Sequence, residues 1–131
     1  MNNNYITVGS IFAAIGILLG AIGAHWLRSN LSLTDLQNFE TGVRYQIYHA
    51  LIIIILGVIN GRLNKKLLRF SFHAFWVGII LFSGSIYLLS TSSFSGLQLS
   101  WLGPATPVGG VLFIAGWTGI IIAALSNIKE D

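Results

Sequence analysis

The sequence predicts an all-α integral membrane bundle of four transmembrane helices, with a short interfacial helix between the first and second. Three observations carry that fold class. Apolar stretches at about 5–27, 43–60, 70–90 and 107–125 each have the roughly 18 to 23 residues that cross a 30 Å hydrocarbon core at 1.5 Å per residue. Only seven Lys and Arg and four Asp and Glu accompany 54% hydrophobic residues in a chain of 131, too few polar groups to cover a water-soluble surface. The charges are also lopsided: the second connection holds Arg62, Lys65, Lys66 and Arg69 without an acid, and the third holds no charge. By the positive-inside rule that asymmetry puts the second connection and both termini in the cytoplasm, with Lys129 adding to that side.

The first stretch has small residues at Ala21-Ile22-Gly23-Ala24, as a signal peptide has near its cleavage point. No Lys or Arg precedes it and it exceeds the usual apolar core of a signal, so it reads as a retained helix. Gly9, Ala13, Gly16, Gly20 and Ala24 recur at spacings of three and four, predicting a face where another backbone approaches closely. Gly109, Gly110, Gly116, Gly119 and Ala123 form a related series, which makes the first and fourth helices contact candidates, within one chain or between copies.

Between the first two crossings, Leu33, Leu36, Phe39 and Val43 oppose Asp35, Gln37 and Glu40, the pattern of a short amphipathic helix at the interface. Thr34 with Gln37 and Ser32 with Asp35 compete to cap it. At the fourth helix, Thr106 is placed at the N-cap and Pro107 at the first helical position. Trp26, Trp76 and Trp101 are read as belt residues at the interfaces, and Trp117 as deeper packing. No Pro- or Ser-rich linker divides the chain, so residues 1–131 form one transmembrane domain.

Several chemistries lack their residues. There is no Cys, hence no disulfide, iron–sulfur cluster, thiolate metal site or cysteine nucleophile. No phosphate loop, metal-binding helix motif or serine elbow occurs. His73 is assigned to the cytoplasmic side and His25 and His49 to the outer side, so the three histidines do not meet at one metal. No catalytic residue, metal or cofactor is assigned, and the short basic cluster reads as topology or anionic-lipid contact, with no nucleic-acid partner.

The candidate site is therefore built from polar residues expected near the outer leaflet. His25 closes the first helix while Arg44, Tyr45, Tyr48 and His49 open the second, and antiparallel pairing would bring them together. Ser83, Ser85 and Tyr87 approach the same end, and the helix start with Thr106, Gly109 and Gly110 offers free amides to an anion, balanced by Arg44. Each has a structural reading beside the ligand one. Glu40 stands four residues before Arg44 as an ion-pair partner, the histidines serve as hydrogen-bonded packing, the tyrosines as interfacial anchors, and the glycines as packing.

Four segments carry a resemblance: Gly20-Ala21-Ile22-Gly23-Ala24-His25, Phe39-Glu40-Thr41-Gly42-Val43-Arg44-Tyr45-Gln46-Ile47-Tyr48-His49-Ala50, Leu81-Phe82-Ser83-Gly84-Ser85-Ile86-Tyr87 and Gly103-Pro104-Ala105-Thr106-Pro107-Val108-Gly109-Gly110. In these the chain resembles the small four-helix membrane proteins of domain of unknown function 423, the YgdD-like family. The resemblance implies a multi-pass protein of the bacterial cytoplasmic membrane, with relatives in eukaryotes too, and implies no reaction.

The expected function is noncatalytic binding of a lipid headgroup or small anionic amphiphile near the outer leaflet, with membrane lipids as partners and a homo-oligomer as a further expectation. Two alternatives stand: a homo-oligomeric small transporter or channel using His25 and His49 for protons, and, lower, a membrane enzyme acting on a lipid or quinone through His49 with Tyr45 or Tyr48. Few polar groups in the central and cytoplasmic thirds weigh against a proton path.

Overall fold

The computed structural model describes residues 1–128; Lys129, expected to add to the basic side, lies outside the described residues. Helix α1 spans Asn3–His25, α2 Leu33–Val58, α3 Lys65–Ile79, α4 Ser85–Ser90, α5 Ser92–Ser95 and α6 Ala105–Ile128. Short 3-10 turns occupy Leu27–Ser29 and Ser100–Leu102, and a π-helical turn, Ile80–Gly84, joins α3 to α4. Four spans are long and apolar enough to cross a membrane: Asn3–Ser29, Leu33–Val58, Lys65–Ser90 and Ser100–Ser126.

The amphipathic segment before the second crossing is helical, as its spacing predicts, and it continues without a break into that crossing as the first turns of α2. Gly42 does not interrupt it, because it is the point where the Tyr87 ring crosses: a Cβ there would lie 2.8 Å from Tyr87 Cε1. Of the two competing caps, Ser32 takes the position, its Oγ accepting the Asp35 amide at 3.1 Å and donating to Asp35 Oδ2 at 2.9 Å. Asn2 and Asn64 cap α1 and α3 in the same way. The fourth crossing starts earlier than expected. The Pro104 carbonyl accepts the Val108 amide, so Thr106 is already inside α6, and Pro107 sits in a first turn that needs no amide.

Packing follows the small residues, with one correction. Helix α1 lies along α2 and α6 along α3, and α1 and α6 are not packed neighbours. A Cβ at Gly9 would come within 2.7 Å of the Ala50 carbonyl oxygen, and one at Gly16 within 2.9 Å of Ile47 Cγ1. Gly20 and Gly23 continue that face against Val43 and Phe39, whereas Ala24 is exposed. On α6, Gly109 meets the Phe82 backbone, Gly116 the Phe75 ring and Gly119 the Ser71 hydroxyl. Gly9, Gly16, Gly109, Gly116 and Gly119 thus meet neighbours inside one chain, while Gly110 keeps open space beside it.

One cluster, including Tyr5, Ile53, Phe72, Phe75 and Phe113, fills the bundle, with Tyr5 stacked on Phe72 at 3.9 Å; a second, of Leu27, Leu36, Phe39 and Val43, seals the α1–α2 end. Exposed Ile, Leu and Val on α1 and α6 face outward, as a lipid-contacting surface requires. Trp26 and Trp101 are exposed at the ends of their spans, consistent with belt positions. Trp76 stands about 16 Å along the axis from Lys65, further from the end of its span than Trp26 and Trp101 are from theirs, its Nε1 donating to His73 Nδ1 at 3.0 Å.

Buried polar groups fasten the helices across the bundle. Gln46, 3% exposed, donates through Nε2 to the Phe12 carbonyl at 2.8 Å and accepts the Tyr87 hydroxyl on Oε1 at 2.8 Å, joining α1, α2 and α4. Ser83 donates to the Gly42 carbonyl at 2.7 Å, and Ser71 to the Gly116 carbonyl at 2.8 Å. The π turn interrupts what the sequence predicts as one helix over 70–90. Just after it, the Ser85 hydroxyl donates to the Phe82 carbonyl of the turn at 3.0 Å, which gives that carbonyl a partner where the ladder widens.

Two expectations follow. Gly109→Ala should destabilise the protein by about 1–3 kcal/mol because the methyl meets backbone, whereas Gly110→Ala, whose Cβ has 3.8 Å of clearance, should be neutral or slightly stabilising; SDS titration in mixed micelles followed by circular dichroism measures both. A double-mutant cycle on Gln46→Leu and Tyr87→Phe should give a coupling of about 0.5–1.5 kcal/mol, and a value near zero would mean the bond contributes nothing.

Candidate functional site

Antiparallel pairing of α1 and α2 sets the depth of each polar residue. With Gly9 beside Ala50 and Gly20 beside Val43, His49 is level with the middle of α1, deep in the bilayer, while His25 is level with the first turns of α2. The two histidines are separated by about 18 Å along the axis. The expected convergence of His25 with Arg44 and His49 is therefore not formed. His25 is exposed at its helix end.

Arg44 is exposed too, and belongs to the α1 side of α2. It lines a small hollow of about 240 Å³ with Gly20, Gly23, Phe39, Glu40 and Val43. Its Nη2 donates to Thr41 Oγ1 at 3.0 Å, and among the described residues no carboxylate lies within ion-pair distance, so the Glu40–Arg44 pair is not made.

Tyr45, Tyr48 and His49 lie on the other side, toward α6. They line an open groove of about 710 Å³ with Phe82, Pro107, Gly110, Val111, Phe113, Ile114 and Trp117. The wall is almost wholly apolar and aromatic. Gly110 gives the groove its depth, since nothing but the Phe82 ring comes within 4 Å of where its Cβ would stand. Neither the Tyr45 nor the Tyr48 hydroxyl has a hydrogen-bond partner among the described residues, although both side chains are well exposed.

His49 forms the floor. Its ring lies flat on Phe113, centroids 3.6 Å apart and planes at 4°. Trp117 Nε1 lies 3.3 Å from His49 Nε2, and because an indole N–H only donates, Nε2 is the acceptor. The proton then sits on Nδ1, which donates to the Tyr45 carbonyl at 2.7 Å. Both ring nitrogens are engaged and the neutral tautomer is held from two sides. For either nitrogen to take part in acid–base chemistry, one of these two bonds has to open.

One helical turn further toward the α1–α2 connection, the same seam opens into a second pocket of about 410 Å³, lined by Asp35, Asn38, Thr41, Ile86, Leu89, Ser90 and Thr106. The two cavities share no lining residue, and their walls stand in series along the same helices. Thr41 precedes Tyr45 by one turn, Ile86 follows Phe82 and Thr106 precedes Gly110. Asp35 stands about 15 Å from Tyr45 along α2, toward the α1–α2 connection.

The other expected site residues serve the scaffold. Ser83 and Tyr87 bond across to α2, Gly109 packs on Phe82, and Ser85 pairs with Thr106 at 2.6 Å, which leaves Thr106 at the pocket and not at a cap. Sequence reasoning passed over Gln46, a neutral amide in an apolar run, because the search followed ionisable groups. Of the α6 wall it named Gly110 as a site residue, but not Pro107, Val111, Ile114 and Trp117 as lining. Pro107, Gly110, Val111, Ile114 and Trp117 recur at spacings of three and four, a signal that only the facing Tyr45, Tyr48 and His49 would have turned into a groove.

Comparison with known proteins agrees with this architecture. The chain is 38% identical over 119 residues to the UPF0382 membrane protein SH2409 of Staphylococcus haemolyticus, covering 91% of this chain and 93% of that one. It is 40% identical over 124 residues to the UPF0382 membrane protein YwdK of Bacillus subtilis, covering 92% and 95%. No solved structure matches it. The model of the family described as Protein of unknown function (DUF423) matches residues 19–110, from the glycine end of α1 through the groove to Gly110, and the chain belongs to that family of membrane proteins.

Proposed function

We propose that the protein is a noncatalytic membrane protein that holds a single amphiphile of the bilayer, its chain in the groove between α2 and α6. The observation that carries this reading is the groove itself: about 710 Å³, apolar, open to the lipid, and running from the outer third of the bundle to its middle. A cavity of that volume and lining suits an acyl or prenyl chain. Lipid tails fill it without desolvating any charge, and the two unpartnered tyrosine hydroxyls at its edge favour an occupant with a polar end over one that is apolar throughout. The tied-up imidazole of His49 supports holding over turnover.

We place the protein in the cytoplasmic membrane with both termini in the cytoplasm. The support is charge: Arg62, Lys65, Lys66 and Arg69 gather at the α2–α3 end, where Met1 also sits, its amino group donating to the Asn60 carbonyl at 3.2 Å.

Chain binding is read by a variant in which Trp117 is the sole tryptophan, titrated in micelles with a phospholipid brominated on its acyl chain. Quenching should saturate near one lipid per protein, and Gly110→Leu, which fills the groove, should abolish the saturable part. Quenching that only grows with bromolipid fraction, unchanged by Gly110→Leu, would make Trp117 an ordinary lipid-facing residue. For orientation, the lack of native Cys allows Leu97→Cys and Lys66→Cys to be compared in intact cells. An impermeant maleimide should label the first and spare the second; the reverse pattern would invert the topology.

A further inference from the structure

We infer that the pocket above the groove selects a head bearing a primary ammonium, as in an ethanolamine phospholipid, with Asp35 as its counter-ion. This rests on the groove holding the chain of the same molecule.

The argument is an inventory of protons. The Ser90 hydroxyl donates to the Ile86 carbonyl at 2.6 Å, and Thr41 donates to the Gln37 carbonyl at 3.0 Å. Ser85 Oγ lies 3.0 Å from the Phe82 carbonyl, which can only accept; with that bond made, Thr106 is the donor in the 2.6 Å contact between Ser85 and Thr106. All three hydroxyls of the pocket have thus committed their protons to the protein and present only lone pairs. Asp35 adds a carboxylate, which accepts from Ser32 on Oδ2 and has no cation within ion-pair distance among the described residues. Among the described residues, no Lys, Arg or His lines the cavity. Of its polar side chains only the Asn38 amide offers hydrogens.

An acceptor cage of this kind repels an anion and satisfies a group rich in donors. A primary ammonium carries three N–H bonds and a positive charge; a quaternary choline nitrogen has the charge and no N–H, and a glycerol head has hydroxyls and no charge. Thr41 Oγ1 already accepts from Arg44 Nη2 at 3.0 Å, which leaves it one lone pair for the pocket, while the guanidinium itself belongs to the separate hollow on the α1 side. The depth agrees as well, because the pocket stands at the end of the crossing where headgroups lie, one turn beyond the chain groove.

The test uses the full-length protein with Trp117 as sole tryptophan and three phospholipids of identical brominated chains, with ethanolamine, choline or glycerol heads. Wild type should bind the ethanolamine lipid about tenfold more tightly than the other two, the loss expected when a charged hydrogen bond goes unmade. Asp35→Asn, which keeps the shape and the backbone amide that Ser32 caps, should remove that preference while leaving saturable quenching in place. Thr41→Val, which deletes one acceptor, should reduce it in part. Equal affinity for all three heads, a preference for choline or glycerol, or a preference that survives Asp35→Asn would each overturn the inference and leave the groove intact. Absence of saturable quenching with any head would instead remove the groove reading on which it stands.

Discussion

A bilayer gives a buried polar group nothing to bond with, so each helix of this protein must satisfy its polar atoms from within the bundle. That constraint explains where the side chains with hydrogen-bonding capacity went. Gln46 bridges a carbonyl of α1 and the Tyr87 hydroxyl, Ser83 and Ser71 cap carbonyls on glycine-bearing turns of neighbouring helices, and no buried side-chain nitrogen or oxygen among the described residues lacks a partner. These bonds form only because the backbones come close, and they come close where there is no Cβ. Gly42 and Gly116 illustrate the coupling, since each glycine both admits a ring and offers its carbonyl to a serine.

The same economy of space creates the groove. Gly109 and Gly110 are adjacent on α6 but point to different surroundings, the first against the Phe82 backbone and the second into open volume. Tight contact at one position holds α6 to the third crossing, and lack of a side chain at the next leaves α6 standing off from α2. Aromatic rings line the resulting cleft, and the stacked pair of His49 and Phe113 closes its floor. A histidine at mid-bilayer would be costly if it faced lipid with free nitrogens. Here Trp117 and the Tyr45 carbonyl occupy both, which makes the ring part of a wall.

The seam between α2, the third crossing and α6 changes character along its length in step with the membrane around it. Toward the middle it is aromatic and aliphatic; toward the α1–α2 connection it is lined by hydroxyls, an amide and, about 15 Å from Tyr45 along α2, a carboxylate. The π turn at Ile80–Gly84 helps produce this change, because it lets Ser83 turn to α2 and Phe82 face the groove within one short stretch. A gradient from apolar to polar over about two helical turns is the gradient of a membrane amphiphile itself.

Membrane class, four crossings and the small-residue faces were determined by the sequence alone, because the length and apolarity of each stretch leave the bilayer as the one solvent that fits, and because glycines at helical spacing must meet a neighbour. Which neighbour they meet was a tertiary outcome: α1 pairs with α2 and α6 with α3, a choice made by the fit of Ile47, Ile54, Phe75 and Phe82 against particular glycines that no spacing reveals. Depth was decided the same way. Arg44, Tyr45, Tyr48 and His49 look like one cluster in the chain, but Tyr45 and His49 point about 100° and 140° away from Arg44, and Tyr48, about 40° away, falls on the groove side of the divide while Arg44 lines the hollow on the α1 side. The groove and the pocket above it exist only where three helices meet, which is why their walls on α6 and around Asp35 could not be assembled from residues that lie far apart in sequence.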